Sequence, residues 1–129
     1  MKNLEQIRAA AALETAPRTS KAAVSKLPAM ILANGLLAAC AFACESKEDG
    51  KTPKRPEQKA AMDGTAVHLA NPLLGISELN GCKDGNALML KLCSANSLAC
   101  QRATTEALAF ISYVKRFTTK EGKESEGKP

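Results

Sequence analysis

Apolar residues recur at three- and four-residue steps along the segment SLACQRATTEALAFISYVKRF, residues 97–117. This spacing matches the turn of an α-helix, so it predicts a long amphipathic helix with one buried face. Basic side chains, including Arg102 and Arg116, lie off that face. The predicted buried stripe consists of Ala103, Ala107, Phe110, Ile111, Val114 and Phe117.

Capping residues and prolines predict four further helices upstream of this one. Asn3 begins a capping-box pattern, and the apolar stripe predicted for the first helix consists of Leu4, Ile7, Ala11 and Leu13. Ser20 and Asp84 can cap two of the other helices through their side-chain oxygens. The four predicted segments are residues 4–16, 20–26, 57–69 and 85–95.

A longer apolar segment, LPAMILANGLLAACAFACE, spans residues 27–45 and carries no charge before Glu45. Its many alanines and its central Asn34-Gly35 pair make it too weakly hydrophobic for a membrane-spanning helix. We therefore expect one central buried helix of a bundle, apolar on all sides, with Pro28 in its first turn. Gly35 is expected to permit close helix packing, and Asn34 to satisfy a neighbouring backbone group.

Two polar segments are predicted to lie outside the packed helices. Residues 50–59, GKTPKRPEQK, contain two prolines and four basic residues, which predicts an exposed, mobile linker. Residues 118–129 are charged, glycine-containing and free of large apolar residues, which predicts a disordered tail. We expect the single all-α domain to occupy residues 1–117.

Composition supports helices and a basic surface. Aromatic residues make up 3% of the chain and Trp is absent, which favours a compact all-α bundle of about five to six helices over a β-fold. The net charge of +5 makes contact with a polyanion plausible. Glu5 and Arg8 interrupt what a secretory signal would need as an apolar run, so we expect a cytoplasmic protein without a membrane segment.

Catalytic chemistry has little support in the sequence. The single histidine, His68, has no second histidine to pair with, and neither a zinc spacing nor a P-loop spacing is present. We therefore expect no enzyme activity, metal, cofactor or small-molecule substrate. An alternative of a different class is a small metal or redox bundle; its candidate ligands are Cys40, Cys44, Cys93 and Cys100.

Two segments together resemble the small helical subunit of the type III-B CRISPR effector, the Cmr complex. The first carries an LP, an NGL and an AF in that order, at Leu27-Pro28, Asn34-Gly35-Leu36 and Ala41-Phe42. The second, QRATTEALAFISYVKRF, resembles the terminal helix of the same family. Two departures are the proline at position 17, which interrupts the first helix, and Tyr113 where Trp is more usual.

The resemblance implies a non-catalytic all-α protein. Copies stack head to tail beside the backbone subunits, and the complex holds the duplex of crRNA and target RNA in the adjoining groove. RNA cleavage belongs to the backbone subunits, and cyclic oligonucleotide synthesis to the large subunit. The expected partners are therefore these subunits, further copies of the chain, crRNA and target RNA.

Residue roles follow from the resemblance combined with predicted exposure. The expected contacts to RNA phosphates are Arg102, Lys21, Lys26, Lys91 and Arg116. The expected structural residues are Pro28, Asn34, Gly35, Phe42 and Phe110. The scarcity of aromatic residues predicts phosphate contacts without base stacking, and hence binding without sequence preference. The alternative function is a stand-alone helical module that binds a protein and carries its positive charge incidentally.

Overall fold

The computed structural model describes residues 3–126, with side chains described as far as Thr118. Within this range the chain forms seven α-helices and no β-strand, which confirms the predicted all-α class. Short 3-10 turns occur at Ala16–Arg18, Pro72–Leu74 and Ser77–Leu79. The helices are α1 (Leu4–Thr15), α2 (Lys21–Ser25), α3 (Leu27–Asn34), α4 (Leu36–Ala43), α5 (Pro56–Leu69), α6 (Gly85–Ser94) and α7 (Ser97–Glu126).

Side-chain caps begin three of these helices at the predicted positions. Asn3 and Gln6 exchange the two hydrogen bonds of a capping box at 2.8 and 2.9 Å, and they open α1. Ser20 accepts from the third backbone N–H group of α2, and Asp84 does the same for α6. Each cap satisfies an N–H group that has no partner inside the helix, so these helix starts are encoded locally.

The apolar segment 27–45 forms two helices, so the prediction of one continuous helix was wrong. Pro28 lies in the first turn of α3, as predicted, but the chain breaks at Gly35, where φ is 95° and ψ is 160°. Only glycine adopts this conformation readily, which is why the break falls there. No atom lies within 4 Å of a Cβ added to Gly35, so it is not a close packing point.

The segment is also not covered on all sides, because one face of α3 and α4 is exposed. Leu32 is 73% exposed and Asn34 is exposed, whereas Leu27, Ile31 and Leu36 are buried. The Asn34 side chain forms no hydrogen bond with another described residue. The prediction that it satisfies a neighbouring backbone group was therefore wrong. No helix in the described range is long and apolar enough to cross a membrane.

The core is built around α7, which packs against α1, α2, α3, α4 and α5. The predicted stripe is confirmed from Ala103 to Val114, all of it buried, and Phe110 stacks on His68 with ring centroids 4.7 Å apart. The stripe predicted for α1 is confirmed only in part. Ile7 and Ala11 are half-buried, whereas Leu4 and Leu13 are exposed, and the residues that α1 buries fully are Ala12 and Thr15.

The two segments predicted to be irregular contain regular structure. Helix α5 begins at Pro56, within the predicted linker 50–59, because a proline is tolerated in the first turn of a helix. Helix α7 runs to Glu126, through most of the predicted tail 118–129, and Lys and Glu in that segment are good helix formers. Residues 127–129 of the predicted tail lie outside the described residues.

Candidate nucleic-acid interface

Four of the five predicted RNA contacts lie on three different helices, and the fifth, Lys26, lies between α2 and α3. Lys21 is the first residue of α2 and Lys26 directly follows this helix; both are exposed, and neither forms an ion pair within the described part of the chain. Lys91 is exposed on α6. Arg116 is exposed on α7, where its guanidinium lies 5.9 Å from the centroid of the Tyr113 ring.

Arg102 has a structural role that the sequence did not indicate. Its two terminal nitrogens donate to the backbone carbonyls of Leu74 and Gly75, at 2.9 and 3.0 Å. These carbonyls end the 3-10 turn Pro72–Leu74, so Arg102 ties that turn to α7. Two of the five N–H donors of the guanidinium are therefore already used within the fold, one on each terminal nitrogen.

Lys26 lies at the edge of a hollow of about 590 Å³ between the end of α2 and the start of α5. We call this the basic hollow. The Arg55 guanidinium lies 3.7 Å above the Phe42 ring, and it donates to the Phe42 carbonyl at 2.9 Å and to Glu45 at 2.7 Å. Phe42, a residue of the family-like motif, is thus the platform for a cation. The other lining residues are Ser20, Ala22, Ala23, Pro56, Glu57 and Gln58.

Arg55 is the functional candidate that the sequence interpretation missed, because residues 50–59 were read as a mobile linker. One feature of the sequence did indicate an ordered position for Arg55: it directly precedes Pro56, which starts α5. Residues 18–59, which include the hollow, contain eight Lys and Arg against four Asp and Glu. This segment therefore accounts for four of the five net positive charges of the chain.

An apolar groove of about 870 Å³ lies at the other end of α5. The hollow is lined by Pro56 and Gln58 at the start of α5, whereas Leu73 and Leu74, which follow its end, line the groove. A helix of 14 residues is about 20 Å long, so the two surfaces are well separated. The apolar lining consists of Leu4, Ile7, Leu73, Leu74, Ile76 and Leu98, with Arg102 and Glu106 alongside.

Three leucines are exposed along the groove. Leu73 is 75% exposed and Leu98 is 64% exposed, and Leu4 is exposed beside them. Clustered exposed leucines of this kind mark interaction surfaces. The groove is therefore suited to contact with another protein.

A buried ionic network lies beneath the groove and joins α1, α5 and α7. Arg8 donates to both carboxylate oxygens of Glu106 at 2.8 Å, and His68 Nε2 lies 2.7 Å from the same carboxylate. Burial favours the neutral acid, but the hydrogen bonds and charges of Arg8 and His68 outweigh it and hold the pKa of Glu106 at about 2. His68 Nδ1 is buried without a hydrogen-bond partner in the described residues. The arrangement locks three helices together.

The cysteines do not form the metal or redox cluster of the alternative reading. Cys40 is buried on α4 and Cys44 is buried directly after this helix, whereas Cys93 is exposed on α6 and Cys100 is half-buried on α7; all four are free thiols. Burial raises the pKa of Cys40 to about 12 and that of Cys44 to about 11, so both remain protonated and unreactive at neutral pH. Among the described residues no group of His, Cys, Asp and Glu is placed to hold a metal ion.

Comparison with known proteins gives one match. A family model described as CRISPR-associated protein (Cas_Cmr5) matches residues 2–121. The matched range includes both segments that carry the sequence resemblance, the basic hollow and the apolar groove. No curated protein and no solved structure matches the chain.

Proposed function

The chain belongs to the CRISPR-associated Cmr5 family, the small subunits of the type III-B Cmr complex, and on this basis we propose that it is a non-catalytic RNA-supporting scaffold. In this proposal it stacks with copies of itself in a filament, beside the backbone and large subunits. The filament supports the duplex of crRNA and target RNA through phosphate contacts, in the cytoplasm. The family membership supports assembly into the complex, and the surfaces described above support the finer roles.

The observation that carries the RNA role is the concentration of cations around the basic hollow at the start of α5, two of which form no ion pair in the described residues. Lys21 and Lys26 are exposed without ion pairs in the described residues, and Arg55 lies across the hollow from α2. Phosphates carry no sequence information, so contacts from lysine and arginine alone bind RNA of any sequence. Phe42 is covered by Arg55 and therefore does not offer its face to a base.

RNA binding tests this role. We expect the protein to bind an RNA duplex more weakly as salt rises, because each neutralised phosphate releases counterions. Replacing Lys21 and Lys26 with alanine should lower the slope of log affinity against log salt by about 1.8, at about 0.9 for each contact. Lys83→Ala is the control, since Lys83 is exposed just before α6, forms no ion pair among the described residues and is not one of the predicted RNA contacts. An equal loss in the control, or no loss in the double variant, would contradict this assignment.

The apolar groove supports stacking against a neighbouring copy. Covering the three exposed leucines would remove apolar area from water, which is the main favourable term in protein association. Leu73→Asp should therefore reduce self-association, measured by sedimentation velocity across a concentration series. Leu90→Asp is the control, because Leu90 is 70% exposed but does not line the groove. Equal behaviour of the two variants would remove the groove from the proposal.

The same groove favours the alternative function, a stand-alone module that binds another protein. In that case the purified chain would bind no RNA at low salt, while Leu73→Asp would still disrupt a protein complex. Detectable, salt-sensitive RNA binding excludes the incidental-charge interpretation on which this alternative depends.

A further inference from the structure

Residues 45–55, expected to contain a mobile linker, form an ordered turn that we call the basic hairpin. Ser46 and Pro53 form an antiparallel bridge between its two arms. Backbone hydrogen bonds join Lys47 N–H to the Thr52 carbonyl at 2.7 Å and Lys54 N–H to the Glu45 carbonyl at 2.9 Å. These bonds pair the arms directly, so the hairpin backbone has one defined path.

Asp49 holds the tip of the hairpin. One of its carboxylate oxygens accepts from the backbone N–H groups of Lys51 and Thr52, both at 2.8 Å, and the other accepts from the Thr52 hydroxyl at 2.6 Å. Bonding to the Thr52 hydroxyl, together with the two backbone N–H groups, lowers the pKa of Asp49. A side chain that accepts from the backbone two and three residues ahead fixes a turn in place.

The hairpin displays cations on this fixed frame. Lys47 and Lys51 are exposed and form no ion pair in the described part of the chain, and the Lys54 ammonium lies 4.0 Å from Glu45. The second arm ends at Arg55, which lines the basic hollow together with Lys26. Arg55 therefore links the hairpin to the hollow. Cations on an ordered backbone lose less conformational entropy on binding than cations on a mobile linker.

We propose that the basic hairpin is a second phosphate-contact element for the RNA backbone, in which Lys47 and Lys51 make the contacts and Asp49 is the positioning residue. This inference rests on the proposed RNA-supporting function and adds a site to it. Asp49 carries a negative charge toward an anionic ligand, so its presence is unfavourable electrostatically. Asp49 favours RNA binding only if the gain from ordering Lys47 and Lys51 exceeds this electrostatic cost.

Two substitutions at Asp49 separate charge from order. Asp49→Asn removes the charge but keeps an oxygen that accepts from the two backbone N–H groups, so RNA affinity should equal or exceed that of the wild type. Asp49→Ala removes the same charge and all three hydrogen bonds. We expect Asp49→Ala to bind an RNA duplex about three- to tenfold more weakly than Asp49→Asn, since two lysine side chains and their backbone must then be ordered on binding. Equal affinities for the two variants would overturn the positioning role.

The contacts themselves are tested by replacing Lys47 and Lys51 with alanine, with circular dichroism to verify that each variant is folded. The salt slope should fall by about 1.8 relative to the wild type, as expected for two lost phosphate contacts. If this variant keeps the wild-type slope while Lys21→Ala with Lys26→Ala lowers it, the hairpin inference fails and the proposed function stands. If the wild-type protein binds no duplex at low salt, both fail together.

Discussion

Replacing Glu106 with glutamine should remove a large part of the acid sensitivity of this fold. Glu106 is 8% exposed and bonded to Arg8 and His68, and its pKa of about 2 lies roughly 2.5 units below the unfolded value of 4.5. One unit corresponds to about 1.4 kcal/mol, so the ionised carboxylate contributes about 3 kcal/mol to the free energy of unfolding at neutral pH. Glutamine has nearly the same shape but cannot supply this charge.

The sign of the pH dependence follows from the lowered pKa. The contribution of Glu106 is present in full above about pH 5 and is lost as the pH falls toward about 2, because the unfolded chain then binds a proton that the folded chain resists. The difference in unfolding free energy between wild type and Glu106→Gln should therefore shrink from about 3 kcal/mol at pH 7 to about 1 kcal/mol at pH 3.

Urea unfolding followed by far-ultraviolet circular dichroism measures both values. Glu14→Gln is the control, because Glu14 is exposed on α1 without an ion pair among the described residues. We expect this control to change stability by less than about 0.5 kcal/mol at either pH. A Glu106→Gln effect that is equally small at neutral pH, or that does not change with pH, would refute the role given to the network.

Three further predictions concern separate parts of the fold. Arg102→Ala should lower the free energy of unfolding by about 1–2 kcal/mol, because the variant loses two hydrogen bonds to backbone carbonyls, and it should leave the salt slope of RNA binding unchanged. An unchanged free energy of unfolding together with a lower salt slope would restore Arg102 as an RNA contact. Gly35→Ala should cost about 1–3 kcal/mol in thermal unfolding because of its positive φ, and an unchanged midpoint would argue against the break between α3 and α4. A thiol reagent should label exposed Cys93 long before buried Cys40, as followed by mass spectrometry; equal rates would contradict the described burial.

Features set by local rules could be predicted from the sequence. The caps at Asn3, Ser20 and Asp84 depend on hydrogen bonds within three residues, and the helices begin where these residues indicated. The stripe on α7 is visible because it separates apolar from charged positions over about four turns, from Ala103 to Phe117. Such features need no knowledge of the neighbouring elements.

Features that depend on distant neighbours could not be predicted. The segment 27–45 is rich in alanine and leucine and shows no helical periodicity, so every side of it looks equally buried. The sequence therefore indicated neither the break at Gly35 nor the exposure of Leu32. Arg102 looked free because its partners, the carbonyls that end a 3-10 turn, lie 27 and 28 positions earlier in the chain. The basic hairpin did have a local signal, the Asp49-Gly50 pair, which is typical of hairpin turns. The interpretation rested instead on the two prolines that follow it, Pro53 and Pro56.

Crosslinking of RNA to this chain inside an assembled Cmr complex tests the central claim most directly. The complex would be loaded with crRNA and target RNA, irradiated, and digested, and the crosslinked peptides identified by mass spectrometry. We expect crosslinks in the peptides that contain Lys21, Lys26 and the basic hairpin, independent of the target sequence. Crosslinks confined to peptides that lack these residues, or a complex in which this chain yields none, would contradict the proposed RNA role.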